Sequence, residues 1–341
     1  MQCSRDAREI HVFSTCPQSV EAEGESYLKK VADVARWSEQ YGCKGILIYT
    51  DNRLVDPWLV SQIVIQSTSR LFPLVAVQPI YMHPYAVAKM VSSLGHMYGR
   101  RIYLNMLAGG FKNDLIALND PTAHDKRYER MVEYTTIIKR LLESPAAVTF
   151  EGEFYKVDNL KMSPPLAPEL MPGIFVSGSS PAGQAAAKTI GATAVHYPRP
   201  TAEYSGVVEE GLLDSGVRVG IIAREHEDEA WSVAWSRFPQ DRKGQLTRQV
   251  ASKVSDSMWH QQLNDVAEAW RDKKATYWMV PFETYKTNCP YLVGTYQQVA
   301  GELKRYMQAG HRKFILDIPP CKEELHHSAV TFEHAAKGFG A

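Results

Sequence analysis

The stretch Pro172-Gly-Ile-Phe-Val-Ser-Gly-Ser-Ser-Pro-Ala-Gly-Gln-Ala-Ala-Ala-Lys-Thr-Ile-Gly191 predicts a strand, a tight turn and a helix in direct succession. Residues 174–176 form a short apolar run typical of a buried strand. Pro181 suits the first position of a helix, and Gly191 suits its end. Backbone amides at such a helix start, with serine hydroxyls beside them, can hold a phosphate group. An ordinary serine-capped connection between a strand and a helix has the same residues. The rest of the chain must therefore show whether this turn is a phosphate site.

The composition describes a chain that can bury a large core and carries no net charge. Of its 341 residues 45% are hydrophobic, and 38 basic residues balance 38 acidic ones. This balance gives no electrostatic reason to expect nucleic acid or a membrane surface as a partner. No apolar run reaches the roughly 20 residues of a membrane span, and residues 2–8 lack the apolar core of a signal peptide. We therefore expect a cytoplasmic enzyme.

Apolar strands alternate with amphipathic helices along the whole chain, which favours an α/β fold with parallel strands. Eight strands are predicted at residues 10–13, 45–49, 74–77, 102–106, 174–176, 194–196, 217–223 and 313–317. Eight strand–helix units predict a TIM (β/α)8 barrel, here as a single domain over residues 1–341. Two insertions interrupt it: a hairpin near residues 148–157, and an aromatic-rich, lid-like insertion near residues 238–290. An open dinucleotide-binding sheet is disfavoured, because no glycine follows the first strand.

In such a barrel the active site lies at the carboxyl ends of the strands. The predicted ends carry Cys16, Tyr49, Thr50, Gln78, Asn105, Ser177, His196, Tyr197, Arg218 and Asp317. They contain no spacing typical of metal ligands and no lysine suited to a Schiff base. The five cysteines are scattered, with no pair spaced for zinc. Polar ends beside a phosphate-holding turn favour an enzyme whose cofactor performs the chemistry.

A series of motifs runs over residues 8–335 in the order and spacing of one enzyme family. They are Tyr41-Gly-Cys-Lys-Gly-Ile-Leu-Ile, Asp56-Pro-Trp-Leu-Val, Leu74-Val-Ala-Val-Gln-Pro, Gly99-Arg-Arg-Ile-Tyr-Leu-Asn-Met-Leu-Ala-Gly-Gly, His124 with Arg127-Tyr-Glu, Phe150-Glu-Gly-Glu-Phe-Tyr, Phe175-Val-Ser-Gly-Ser-Ser, Asp228-Glu-Ala-Trp and Leu292-Val-Gly-Thr. In these motifs the chain resembles the bacterial luciferase-like flavin monooxygenases, and most of all their alkanesulfonate monooxygenase branch.

The resemblance implies a two-component monooxygenase of a small or carrier-bound organic substrate. Such an enzyme receives reduced FMN from a separate NAD(P)H:FMN reductase, reacts it with O₂ through a C4a-(hydro)peroxyflavin, and forms homodimers or homotetramers. It also implies the cofactor-binding residues. Asn105 would bind the flavin, Tyr128 would bind the FMN phosphate with Ser177, Gly178, Ser179 and Ser180, and Val75, Ala76 and Val77 would pass behind the ring.

The chain departs from the sulfonate branch at the positions that handle substrate. The branch's first-strand histidine corresponds to Cys16, and its cysteine before the Asp-x-Trp motif to Leu54, next to Asp56. Its seventh-strand arginine is kept as Arg218. We expect His196 and Tyr197 to have taken over proton transfer or substrate orientation. Lys286 is the candidate cation of the lid.

Two further functions fit the same fold. One is a deazaflavin-dependent oxidoreductase that transfers hydride, and the other is a non-catalytic flavin-binding subunit. At the level of single residues, Asn105 could bind a loop amide, Tyr128 could belong to the core, and His196 could be a buried structural histidine.

Overall fold

The computed structural model describes residues 9–21, 24–109, 112–178, 180–204, 207–208, 212, 214–244, 246, 248, 263–267, 275–318 and 320–337. The chain forms two compact units. The N-terminal unit comprises Cys16–Arg36 and Gly45–Ala194, and the C-terminal unit comprises Met1–Thr15, Trp37–Lys44 and Val195–Ala341.

The strands of the described residues are β1 His11–Thr15, β2 Gly45–Ile48, β3 Phe72–Val77, β4 Tyr103–Met106, β5 Val148–Glu151, β6 Lys156–Leu160, β7 Ile174–Ser177, β8 Thr193–His196, β9 Gly216–Arg224, β10 Tyr277–Trp278, β11 Tyr291–Thr295 and β12 Lys313–Leu316. The helices are α1 Gly24–Gln40, α2 Pro57–Ser67, α3 Pro84–Tyr98, α4 Lys112–Ala117, α5 His124–Glu143, α6 Pro181–Ile190, α7 Glu227–Arg237, α8 Val280–Glu283, α9 Tyr296–Ala309 and α10 Lys322–Ala336.

In the N-terminal unit β2, β3, β4 and β7 pair in parallel in that order. Their apolar side chains are buried on both faces, as expected of parallel strands covered by helices. Asp56 begins α2, because its Oδ1 accepts a hydrogen bond from the Trp58 amide at 2.9 Å. The predicted hairpin is confirmed as the antiparallel pair β5–β6.

One carboxylate fastens this hairpin to α5. Glu133 accepts hydrogen bonds from the backbone amides of Glu153 at 2.8 Å, Phe154 at 2.9 Å and Tyr155 at 3.2 Å. The hairpin in turn reaches the loop after β3, since the Tyr155 hydroxyl donates to the Pro79 carbonyl at 3.3 Å. The insertion therefore positions a loop beside the end of β3.

In the C-terminal unit β9 is the central strand. Its first half pairs in parallel with β12 and with β8, and β12 pairs with β1. Its second half pairs with β11, which the sequence analysis missed as a strand. Gly220 permits this contact, because a Cβ atom there would lie 2.3 Å from the Tyr291 ring.

Parallel strands alternate with helices through both units, and the fold is the predicted α/β TIM (β/α)8 barrel with insertions. The assignment of residues 1–341 to a single domain stays a prediction. Within the described residues, no helix is both long enough and apolar enough to cross a membrane.

Candidate functional site

The turn between β7 and α6 has the geometry that the sequence predicts for a phosphate site. Ser180 begins α6, and its Oγ accepts a hydrogen bond from the Gly183 amide at 3.1 Å. Pro181 occupies the first helical position, and Gly191 ends the helix in the left-handed conformation, with φ of 70°. A helix start of this form directs amides and a partial positive charge toward the turn.

Tyr128 of α5 packs against this turn. A Cβ atom on Gly178 would lie 2.5 Å from the Tyr128 hydroxyl oxygen, and one on Gly183 would lie 2.9 Å from the Gly178 carbonyl oxygen. Two glycines therefore keep the space in which the hydroxyl and the helix start meet. We call Tyr128, Ser177, Gly178, Ser180 and Gly183 the phosphate corner. Ser179 lies outside the described residues.

The electrostatics of the phosphate corner suit an anion. Burial raises the pKa of Tyr128, while a hydrogen bond with Ser180 lowers it, and the raised value keeps the hydroxyl protonated as a donor. The neighbouring Arg127 also lowers the pKa of Tyr128. Arg127 is itself buried, and its Nε has no hydrogen-bond partner among the described residues. Hydroxyl donors, glycine space and a buried cation fit the terminal phosphate of a mononucleotide.

Asn105 connects this corner with the end of β4. The Ser177 hydroxyl donates to Asn105 Oδ1 at 2.8 Å, and Asn105 is buried. This bond occupies the amide oxygen and fixes which way the amide points. Asn105 thus lies next to the phosphate corner, where the resemblance expects a flavin ligand.

A cavity of about 280 Å³ opens at the ends of β2 and β3. Its wall includes four residues predicted for the flavin or the substrate: Leu54, Asp56, Ala76 and Val77. Val75 is fully buried in the core beneath them. The carboxylate of Asp56 is already engaged as the cap of α2. Cys16 is buried, and its amide donates to the Leu47 carbonyl at 2.8 Å.

In the C-terminal unit Arg218 meets an opposite charge. Its Nη2 donates to Asp317 Oδ1 at 2.7 Å, and both side chains are largely buried. The Tyr291 hydroxyl donates to Asp317 Oδ2 at 3.3 Å. Burial raises the pKa of Tyr197 to about 12, partly offset by Arg218. We call Arg218, Asp317, Tyr291 and Tyr197 the Arg218 network; its cation is neutralised inside the protein.

His196 lies in different surroundings from its neighbour Tyr197. The His196 ring lies 6.0 Å from the ring of His311, whose Nδ1 is 2.7 Å from Ser215 Oγ. Burial lowers the pKa of His196 and lowers that of His311 to about 3. Both histidines are therefore neutral at pH 7, and the Nε2 of each lacks a partner among the described residues. The two predicted catalytic residues of this strand end are not brought together.

The predicted lid is described in part, since residues 245, 247, 249–262 and 268–274 lie outside the described residues. Trp278 packs edge-on against Trp231, Trp235 and Phe238, with ring centroids 5.1–6.1 Å apart. This segment therefore contributes to the core. Lys286 Nζ lies 2.9 Å from Asp241 Oδ2, so an ion pair engages the candidate lid cation.

Sequence reasoning placed Gln78 and Asp317 at strand ends but gave neither a role. It missed Asp51, Tyr81 and Tyr291. Tyr291 is 26 residues from Asp317 and 73 from Arg218, and no local pattern signals such a contact. Among the described residues, no three His, Cys, Asp or Glu side chains are grouped as metal ligands.

Comparison with known proteins identifies a family and a fold. Residues 9–313 match the family model described as luciferase-like monooxygenase. Over 306 residues the chain is 33% identical to the 4-(gamma-L-glutamylamino)butanoyl-[BtrI acyl-carrier protein] monooxygenase BtrO of Niallia circulans, covering 88% of this chain and 89% of that protein.

Two solved structures share the fold at low sequence identity. The EDTA monooxygenase EmoA of Chelativorans sp. BNC1 aligns with a TM-score of 0.74 at 16% identity, covering 98% of this chain and 95% of that one. An F420-dependent secondary alcohol dehydrogenase aligns with a TM-score of 0.67 at 17% identity, covering 96% and 99%. The predicted barrel is thereby confirmed.

Proposed function

Since the chain belongs to the luciferase-like monooxygenase family, we propose that it is a two-component monooxygenase that uses reduced FMN and O₂. The observation that supports this most is the fit of Tyr128 against Gly178, which leaves a donor-lined corner at the start of α6. FMN, when bound and reduced, supplies the electrons that activate O₂. The protein would bind and orient the flavin and would exclude water from the site.

The phosphate corner would hold the cofactor by its terminal phosphate. The hydroxyls of Tyr128 and Ser180 and the amides at the start of α6 would donate to phosphate oxygens, while the Ser177 hydroxyl would keep its bond to Asn105, and Arg127 would add a favourable field. We propose the same role for Ser179. Asn105 would then orient the ring system, with its amide direction fixed by Ser177.

The ring system would lie toward the cavity at the ends of β2 and β3, whose wall contains Ala76 and Val77. That wall is apolar where the strand ends, and an apolar, water-poor site protects a reactive oxygen species from wasteful decay.

The substrate would be a small or carrier-bound organic molecule. The relative that is 33% identical is named for a substrate on an acyl-carrier protein, which supports a carrier-bound substrate for this chain. The sulfonate branch is less well supported. Asp317 neutralises Arg218, the kept arginine, so Arg218 offers little net positive charge to a sulfonate. The cytoplasmic location, the separate NAD(P)H:FMN reductase and the homodimer stay predictions.

An anaerobic titration of the apoprotein with reduced FMN, followed by stopped-flow mixing with O₂, tests the proposal. We expect saturable binding and a reoxidation rate that depends on the protein. If reduced FMN does not bind but a reduced deazaflavin does, and O₂ leaves it reduced, the hydride-transfer oxidoreductase replaces the proposal. If FMN binds and its reoxidation matches that of free flavin in the presence of every candidate substrate, the non-catalytic subunit replaces it.

A further inference from the structure

The cavity at the ends of β2 and β3 has one apolar side. Leu54, Trp58 and Met82 line it, beside the Ala76 and Val77 surface proposed for the flavin, and the cavity volume of about 280 Å³ is just below the ~300–1,000 Å³ typical of ligand pockets. This side accommodates a short hydrocarbon segment. These side chains carry no charge, so they do not determine whether the rest of the ligand is cationic, neutral or anionic.

The opposite side carries a carboxylate with little compensation. The Asp51 side chain is 15% exposed and lines the cavity. Its Oδ1 accepts from the Arg53 amide at 2.7 Å, and its Oδ2 lies 3.5 Å from Arg53 Nη2. The Arg53 side chain is 80% exposed, and an exposed arginine at this distance is screened by water. The negative charge of Asp51 therefore persists at the cavity wall.

Tyr81 and Gln78 extend this polar side, and the charge of Asp114 acts on Tyr81 from outside the cavity wall. The Tyr81 hydroxyl donates to Asn52 Oδ1 at 2.8 Å, and Gln78 Nε2 approaches the same hydroxyl at 3.5 Å. Burial, followed by the charges of Asp114 and Asp51, raises the pKa of Tyr81 to about 12. Burial and the charge of Asp51 likewise raise the pKa of Asp114. Tyr81 and Asp114 thus both feel the negative charge of Asp51, although Arg53 partly offsets it at Asp114.

We infer that this cavity binds a ligand whose hydrocarbon segment lies on the apolar side and whose ammonium or guanidinium group lies against Asp51. An opposite charge is favoured at a partly buried carboxylate, while a sulfonate or carboxylate would face uncompensated repulsion. Tyr81 and Gln78 add hydrogen-bonding groups beside that position. Naming this ligand as the substrate of the monooxygenase rests on the proposed function; the charge preference itself does not.

Three probes of equal chain length test the preference: pentylammonium, pentanol and pentanesulfonate. They are titrated calorimetrically into the full-length protein without flavin, at neutral pH and low salt. We expect pentylammonium to bind about tenfold more tightly than pentanol, and pentanesulfonate to bind more weakly than both. Since no flavin is present, failure here leaves the FMN proposal standing, and failure to bind FMN leaves this preference standing.

Two variants and a control locate the effect. Asp51→Asn keeps an oxygen that accepts from the Arg53 amide and removes the charge, so the preference for pentylammonium should fall about tenfold. Asp114→Asn should reduce it less, because Asp114 does not line the cavity. Asp158→Asn on the exposed hairpin should leave it unchanged, and thermal unfolding checks that all variants fold.

Equal or tighter binding of pentanesulfonate, no binding of pentylammonium, or an unchanged preference in folded Asp51→Asn and Asp114→Asn would each overturn the inference.

Discussion

The phosphate corner and the Arg218 network both gather polar side chains near the end of a parallel strand, but they satisfy those side chains differently. In the corner, hydroxyls and glycine backbone surround a helix start, and the absence of side chains at Gly178 and Gly183 lets the Tyr128 hydroxyl and the turn approach it closely. In the network, the guanidinium of Arg218 meets the carboxylate of Asp317 at 2.7 Å inside the protein. The corner is arranged to receive an anion from outside, whereas the network already contains both charges.

This difference separates stability from binding. A closed ion pair contributes little net energy while intact but costs much when one partner is removed. The corner contains no such charged pair, so we expect its hydroxyls and amides to matter mainly for binding a ligand. Substitutions in the two regions should therefore change different measured quantities.

The largest expected effect is on stability, from Asp317→Asn. Removing this carboxylate leaves the buried guanidinium of Arg218 uncompensated, which should lower the free energy of unfolding by about 3–5 kcal/mol. Urea unfolding measures it. Asp228→Asn, at the exposed first turn of α7, is the matched control. The affinity of the folded protein for FMN should not change. A loss of FMN affinity with unchanged stability would show that the Arg218 network serves binding and not stability.

The next effect is on cofactor affinity, from Gly178→Ala. The new Cβ atom would lie 2.5 Å from the Tyr128 hydroxyl, so tyrosine or turn must shift, at a cost of about 1–3 kcal/mol in FMN binding. Fluorescence titration with FMN measures it. Gly301→Ala is the control, because nothing lies within 4 Å of its Cβ position. If both variants bind FMN like the parent, the corner does not hold the cofactor.

A third prediction concerns pH and contrasts the charged Arg218 network with His311, a histidine that the same unit buries uncharged. Burial lowers the pKa of His311 from 6.5 to about 3, so below pH 6.5 the unfolded chain takes up a proton that the folded protein does not. The stabilisation is complete above about pH 6.5 and is lost as the pH falls toward 3. Between pH 7.5 and pH 5.5 the loss should be about 1.4 kcal/mol.

Urea unfolding at the two pH values, on the parent and on His311→Asn, measures this contribution. Asparagine does not titrate and keeps a polar group near Ser215, so the variant should be less stable overall but lose less stability on acidification. An identical loss in both proteins would show that His311 is not the group responsible.

The smallest effect is expected from Tyr128→Phe. The ring still fills the corner, but one donor to the phosphate is lost, so FMN affinity should fall by about 0.5–1.5 kcal/mol with unchanged stability. Tyr85→Phe, on α3, is the matched control. If Tyr128→Phe leaves FMN affinity unchanged while Gly178→Ala lowers it, Tyr128 acts by shape alone.

The sequence predicts features that depend on near neighbours in the chain. The strand–turn–helix of residues 172–191, the Asp56 cap and the hairpin follow from turn and capping residues a few positions apart, and the structure has all of them. The barrel follows from their alternation. The contact between Asn105 and Ser177 follows from the shared edge of parallel strands.

Features that depend on distant contacts were not predictable. Arg218 was expected to act on substrate, but its partner Asp317 lies 99 residues away. Strand β11 was missed because its five residues precede a helix directly, and its pairing with β9 and β10 defines it. The charge of Asp51 raises the pKa of Asp114, which is distant in the chain, and no local sequence pattern signals that the two carboxylates lie close together.

The central claim is that the phosphate corner anchors FMN by its terminal phosphate. Titrating the protein in parallel with reduced FMN and reduced riboflavin, which differ by that phosphate alone, tests it most directly. We predict that FMN binds about 100-fold more tightly or better, as expected for two or more charge-assisted hydrogen bonds, and that Gly178→Ala removes most of this difference. Equal affinities for the two flavins, or a difference that Gly178→Ala leaves intact, would contradict the account.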